Sequence, residues 1–305
     1  MIRIIQAVIL LLMLRGLWFA WRSNEHLRLT TLTMAAKWTI AAFCMWCVAA
    51  GASWFVNDIE PGVEDQLWYW TIVTSCCPPI AVLGARSPTH RVWNYFILLP
   101  LVAVLGWPAM TLWVPSDAWQ PVEVGGPVLM AFGLVTVMGF GNFVGTRFMT
   151  ATILSAMAIL LALVPFATFR PESVPIVFWR VSAATLLVLA AETAISASKC
   201  LYAEESPYTT IWNDFRDTFG LVWSVRILER LQEQARRDEL PVEWSAEGLH
   251  WCTDDMSARE AAKMKLSHTL RWLLRRFVEP EWIDARGIPQ VDLGAKESNP
   301  TRLDS

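Results

Sequence analysis

Charge is what this sequence has least of. Only 17% of its 305 residues are charged, whereas 54% are hydrophobic, and more than half of the acidic and basic residues lie in 200–305. This composition excludes the pair of ordinary soluble domains that the length alone would suggest. A nucleic-acid partner is also excluded, because the net charge is −3 and no long basic stripe is present to neutralise phosphates.

Catalytic motifs are missing as well. The chain has no Gly-rich phosphate loop, no G-x-S-x-G and no H-E-x-x-H. Its four histidines all lie outside the apolar runs: His26, His90, His250 and His268. The acids Asp254 and Asp255 are expected to be charges ahead of a helix rather than catalytic groups. The sequence therefore favours a non-enzymatic protein, and it indicates no particular cofactor.

Long apolar runs fill the first two-thirds of the chain. A helix needs about 20 apolar residues to cross a bilayer. Seven runs approach that length: 3–21, 35–56, 66–85, 92–113, 125–143, 147–166 and 175–198. They predict an all-α transmembrane helix bundle of about seven spans in residues 1–200. The first run could span the membrane, lie in its plane or be cleaved, although 19–22 does not resemble a cleavage site.

The loops between these runs predict the orientation of the bundle. Loop 57–65 is acidic without any base, and loop 114–124 is also acidic. Basic residues occur in the alternate loops: Arg22, Arg28, Arg86, Arg91 and Arg147. Basic loops concentrate on the cytoplasmic side of a membrane. We therefore expect a multi-pass protein of the cell (inner) membrane with a cytoplasmic C-terminus, in contact with the lipid bilayer.

The remaining residues predict a small cytoplasmic α+β module over 201–284, in the order α-β-β-α, and a disordered tail over 285–305. Ser206 and Pro207 are typical of a helix start, and the amphipathic pattern extends that helix over 208–237. Alternation over 242–244 and 249–251 predicts a hairpin. A capping box at 257–260 predicts the start of a second helix.

The faces of these two helices predict what each one contacts. The first helix carries an aromatic and aliphatic face opposite Asp214, Arg216 and Asp217. Because acids and bases alternate there, we expect the face to pack against the hairpin and second helix rather than against lipid. The second helix has a basic face, made by Lys263, Lys265, Arg271, Arg275 and Arg276. Such a face is expected to be solvated, and contact with anionic lipid headgroups is the alternative.

Glu192 is an ionisable residue inside the last apolar run, 175–198. It lies six residues, roughly 9 Å along a helix, from the predicted cytoplasmic edge. Arg15 lies at a similar depth in the first run. A charge inside a membrane needs a partner, so the two are predicted to form an ion pair that closes the bundle. A proton relay through Glu192 is the alternative.

Four cysteines occur at similar depth in the second and third runs: Cys44, Cys47, Cys76 and Cys77. Thiolates would suit a soft monovalent metal such as Cu(I). Because cysteine is also a small hydrophobic residue that is often buried, plain packing is the competing interpretation.

Taken together, these patterns predict a membrane scaffold or sensor whose cytoplasmic module engages a protein partner. A small transporter or ion-coupled carrier using Glu192 is the first alternative, and an intramembrane thiolate metal site is the second. A continuous polar cavity reaching Glu192 would favour transport, whereas a packed bundle would favour a scaffold.

Overall fold

The computed structural model describes residues 2–86, 92, 94–110, 121–171, 173–199 and 206–288. The first part is a helical bundle, made by α1 (Ile2–His26), α2 (Thr33–Phe55), α3 (Pro61–Ser75), α4 (Cys77–Leu83), a π-helical turn (Asn94–Leu98), α5 (Leu99–Met110), α6 (Gly126–Gly141), α7 (Met149–Leu163) and α8 (Ile176–Lys199). Four helices are long and apolar enough to cross a membrane: α1, α2, α7 with its 3-10 extension to Phe166, and α8. A helical bundle is therefore present, with four helices rather than seven of spanning length among the described residues.

The third apolar run, predicted as a single helix over 66–85, is two helices instead. α3 ends at Ser75 and α4 begins at Cys77. Pro78 and Pro79 follow at once, and proline has no N–H to donate to the preceding turn. The run therefore bends at Cys76.

The bundle brings its first and last helices together. α1 packs on both α2 and α8. At the crossing, a Cβ added to Gly16 would lie 2.9 Å from the Phe43 ring and 3.2 Å from the Ala191 side chain. Glycine at this position thus allows a close approach of three helices. Deeper in the bundle, the Trp46 and Trp68 rings meet edge to face at 5.5 Å between centroids.

Residues 206–288 form what we call the C-terminal module. It contains α9 (Pro207–Phe219), α10 (Leu221–Arg237), β1 (Val242–Ser245), β2 (Gly248–Trp251), α11 (Met256–Leu274) and α12 (Pro280–Asp284). The two strands pair antiparallel, with Val242 opposite Trp251 and Ser245 opposite Gly248. The predicted hairpin is present, and the helices cover it.

Two sequence predictions about this module are wrong in detail. The helix expected over 208–237 is broken at Gly220, which has a φ of 78°. The cap of α11 is Asp255, which accepts from the Ser257 backbone N–H at 2.9 Å, so the predicted capping box is not used. The tail predicted over 285–305 falls mostly outside the described residues: 285–288 are described, with Ile288 buried, and for 289–305 disorder stays a prediction.

The aromatic face of α9 and α10 is buried, but not only within the module. Phe277 contacts Phe215, Phe219 and Trp223 with centroid distances of 5.3, 5.3 and 5.1 Å. The same hydrophobic core includes residues from the bundle: Leu32, Ala35, Cys77, Ile80, Ala81, Val82, Ala85 and Leu98. The module therefore packs directly on one end of the bundle.

Candidate functional site

Arg15 and Glu192, predicted to pair, lie side by side in the structure. An Arg15 Nη1 atom is 2.8 Å from a Glu192 Oε1 atom. The side chains are 51% and 33% exposed on the protein surface. The pair therefore lies at the surface of the bundle and joins α1 to α8.

The four predicted cysteine ligands are not brought together. Cys44 is exposed and Cys47 half-buried on α2, whereas Cys76 and Cys77 are buried at the α3–α4 bend. Cys76 and Cys77 pack into two different hydrophobic cores. Within the described residues, no three His, Cys, Asp or Glu side chains form a group that could hold a metal ion. The geometry of these thiols fits packing rather than metal binding.

A buried ion cluster that the sequence interpretation did not identify lies around Arg180, on the first turns of α8. Arg180 is 4% exposed, contacts the Glu64 carboxylate and donates to Asp65 at 2.6 Å. Its guanidinium also lies 5.6 Å from the centre of the Trp68 ring. The signal was present in the sequence, since loop 57–65 has acids without a base and the last apolar run contains this arginine.

The cluster is extended by hydrogen bonds from neighbouring helices. Ser53 on α2 donates to Glu64, and the Trp68 indole N–H donates to the Ser53 hydroxyl at 2.6 Å. Charged and neutral donors thus share the carboxylates of one short segment. These contacts tie α2, α3 and α8 together at the end of the bundle away from the module.

At the opposite end, Asn142 joins the bundle to the module at the break between α9 and α10. Its side-chain amide donates to the Phe219 carbonyl at 3.1 Å, and its side-chain oxygen accepts from the Val222 N–H at 2.9 Å. Its backbone carbonyl accepts from the Leu221 N–H at 2.6 Å. One residue from the α6–α7 turn therefore caps the end of one module helix and the start of the next.

The same turn makes ionic contacts with α9. The Arg147 Nε atom lies 3.1 Å from Asp217, whose side chain is fully buried, and Nη2 lies 3.7 Å from Asp214. Arg286, near the end of the module, also lies 2.8 Å from Asp214. The polar face of α9 thus docks on a loop of the bundle instead of facing only solvent.

Backbone contacts complete the junction between bundle and module. Thr30 and Val278 form an antiparallel bridge, flanked by the Thr31 N–H donating to the Phe277 carbonyl at 2.8 Å. The Trp223 indole N–H donates to the Val82 carbonyl at 3.1 Å, at the end of α4. Three separate segments of the bundle therefore hold the module in place: the α1–α2 turn, the end of α4 and the α6–α7 turn.

A cleft of about 600 Å³ lies beside this junction. Four arginines from three parts of the fold line this cleft, which we call the arginine cleft: Arg86, Arg226, Arg230 and Arg276. Two carboxylates, Glu229 and Glu233, and two indoles, Trp223 and Trp272, complete the wall. Partial burial and the repulsion of the other three guanidinium groups lower the pKa of Arg86. The cleft thus concentrates positive charge.

No family model matches this chain, and no curated protein or solved structure is significantly similar to it. Its function is therefore inferred from the geometry of its own residues. Two features stand out in the described residues: the junction that fixes the module to the bundle, and the arginine cleft beside it.

Proposed function

We propose that this chain is a non-enzymatic scaffold or sensor of the cell (inner) membrane, with its C-terminal module on the cytoplasmic side. The observation that carries the proposal is the hydrophobic core shared by bundle and module around Phe277 and Trp223. A module docked in this way is an extension of the bundle rather than a tethered domain. A change in helix packing would therefore reach the surface that the module offers to a cytoplasmic protein.

Charge asymmetry supports the orientation. The turns that contact the module carry the basic residues Arg28, Arg86 and Arg147. At the other end, all the charged residues of the 57–65 segment are acidic, and two of them contact Arg180. Loops rich in Arg and Lys are retained on the cytoplasmic side. The end that bears the module is therefore assigned to the cytoplasm in this proposal.

The transporter alternative has less support from the positions of the charges. The Arg15–Glu192 pair is on the outer surface of the bundle, where Arg15 is half exposed. Four of the protein's cavities lie in the module or at its junction, and Glu192 lines none of these four. A carrier would be expected to place its coupling carboxylate on a polar path.

The orientation is tested by labelling Cys252, an exposed thiol of the module. A membrane-impermeant maleimide should react with it in inverted membrane vesicles but not in intact cells. The Cys252→Ser variant gives the background from the other five cysteines. In that background Asn57→Cys, at an exposed position of the acidic loop, should show the reverse pattern. Labelling of Cys252 in intact cells would contradict the proposal.

A further inference from the structure

The arginine cleft is assembled from three parts of the fold. Arg226 and Arg230 are four residues apart on α10 and so share one helix face. Arg276 follows the end of α11, and Arg86 follows the end of α4 in the bundle. Because separate elements bring these guanidinium groups together, their convergence is a tertiary feature rather than the solvated face of one helix.

Two carboxylates, Glu229 and Glu233, share the cleft with the four arginines. In the part of the chain that the structure describes, Arg226, Arg230 and Arg276 make no ion pair. Arg226 and Arg276 instead lie over the rings of Trp223 and Trp272, at 5.1 and 5.9 Å. Clustered guanidinium groups that make no ion pair are a preferred arrangement for binding phosphate, which they contact through paired N–H groups.

The surroundings of the cleft indicate which kind of molecule would carry that phosphate. Trp223 in its wall bonds to Val82 in the last turn of α4, so the cleft lies level with the end of the apolar bundle. The first two turns of α10 also expose three apolar side chains, Leu221, Val222 and Val225, at 43%, 37% and 43%. Apolar groups beside basic ones are typical of a surface at the headgroup and acyl boundary.

We propose that the arginine cleft binds the phosphate of an anionic phospholipid headgroup. The guanidinium groups would hold the phosphate ester while the exposed face of α10 contacts the acyl chains. A cavity of about 600 Å³ is in the size range of small-molecule sites. The inference rests on the membrane placement in the proposed function and adds a ligand to it: the module would respond to the anionic lipid around the protein.

The test uses the purified, delipidated full chain in neutral detergent. Short-chain phosphatidylglycerol, phosphatidylcholine with the same acyl chains, and orthophosphate are titrated separately, and binding is measured by native mass spectrometry together with the thermal unfolding midpoint. Phosphatidylglycerol should bind and raise the midpoint, because a ligand that binds only the folded state stabilises it. Its affinity should fall at least about tenfold in Arg226→Gln/Arg230→Gln, since two charge-assisted contacts are removed.

The matched control is Arg236→Gln/Lys265→Gln, which makes the same change in net charge at exposed positions of the module outside the cleft. It should bind phosphatidylglycerol like the original chain. Equal losses in both double variants would overturn the proposal, since binding would then follow net charge alone. Arg276→Gln provides a second cleft variant, so that a folding defect in one variant is not mistaken for lost binding.

The remaining outcomes separate the possible sources of phosphate. An equal response to orthophosphate without lipid would assign the cleft to a soluble phosphate and overturn the lipid assignment. An equal response to phosphatidylcholine would show that the headgroup charge is not sensed, which also contradicts the proposal. Because binding in detergent does not depend on orientation, its failure is distinguishable from a failure of Cys252 labelling.

Discussion

At the scale of single residues, exposure distinguishes the two ionic sites of the bundle, around Arg180 and at Arg15–Glu192. The Arg180 side chain is 5% exposed beside two carboxylates, whereas that of Arg15 is 51% exposed beside one. A buried charge that loses its partner costs far more than one that can move toward water. The cluster at Arg180 is therefore expected to contribute more to the specific packing of the bundle.

Replacing Arg180 with Met should destabilise the protein strongly, because Glu64 and Asp65 would lose their shared cation. A loss of about 3–5 kcal/mol is expected, as for other buried pairs that lose one partner. The thermal unfolding midpoint of the purified chain measures it. Arg3→Met is the matched control at an exposed position of α1 and should change the midpoint little. Similar midpoints for the two variants would show that the cluster does not contribute to the stability of the protein.

The Arg15–Glu192 contact is tested by a double-mutant cycle. Arg15→Met and Glu192→Gln should each destabilise the chain, and the double variant should lose less than the sum of the two. A coupling energy of about 0.5–3 kcal/mol is expected for side chains in direct contact. Under the transport alternative, Glu192→Gln alone would leave the midpoint unchanged while abolishing a transport activity. Strict additivity would mean that the contact does not stabilise the bundle.

At the scale of secondary-structure elements, the break between α9 and α10 is the most constrained feature. Gly220 has a φ of 78°, and a Cβ there would lie 2.5 Å from the Asn142 carbonyl oxygen. Glycine is thus needed both for the backbone conformation and for the approach of the α6–α7 turn. The helix pair is oriented by the bundle, through the three hydrogen bonds of Asn142.

Substitutions at this break should loosen the module. Asn142→Ala leaves the buried Phe219 carbonyl without its side-chain donor, at a cost of about 1–3 kcal/mol, and also removes the acceptor of the Val222 N–H. Gly220→Ala should destabilise the module at least as much, because the positive φ strains the alanine backbone and the added Cβ would also clash with Asn142. Hydrogen exchange of α9 and α10 in the purified chain should accelerate in both variants.

The control for this test is Gly141→Ala, next to Asn142. A Cβ at Gly141 has no neighbour within 4 Å, so exchange should remain as in the original chain. Accelerated exchange in this control would assign the effect to a general loss of bundle stability rather than to the cap. Unchanged exchange in Asn142→Ala would show that the module is held by its other contacts alone.

At the scale of the whole molecule, the hydrophobic core of the module includes side chains of the bundle. Trp212 packs against Phe215 and Trp244, all within the module. The Trp223 indole N–H instead donates a hydrogen bond to the Val82 carbonyl of the bundle. The Phe277 backbone carbonyl accepts a hydrogen bond from the Thr31 N–H. The indoles of Trp212 on α9 and Trp223 on α10 therefore depend on different parts of the chain.

Residues 206–288 expressed alone should keep Trp212 shielded and leave Trp223 open to solvent. Acrylamide quenching, compared between the fragment and its Trp212→Phe and Trp223→Phe variants, measures each contribution. Trp223→Phe should remove quenchable fluorescence from the fragment but not from the full chain, whereas Trp212→Phe should remove shielded fluorescence from both. A fragment in which Trp223 stays shielded would show that the module folds independently of the bundle.

The sequence by itself determined that the first part of the chain is a helical bundle, because hydrophobicity and the need to satisfy backbone groups within a segment are local properties. Alternation also determined the hairpin, since side chains on a strand face opposite sides in turn. The depth of Arg15 and Glu192 could be compared in advance, because depth follows from the helical rise. These features need no knowledge of how the segments pack.

Only the tertiary structure decided the rest. The helical pattern over 208–237 continues past Gly220, and the break depends on Asn142, which is distant in sequence. Arg180 meets its acids, and four arginines form a cleft, only because separate helices place them together. Long-range contacts of this kind depend on the relative positions of whole elements. Those positions are determined by the packing of both cores at once, and no local pattern of residues specifies them.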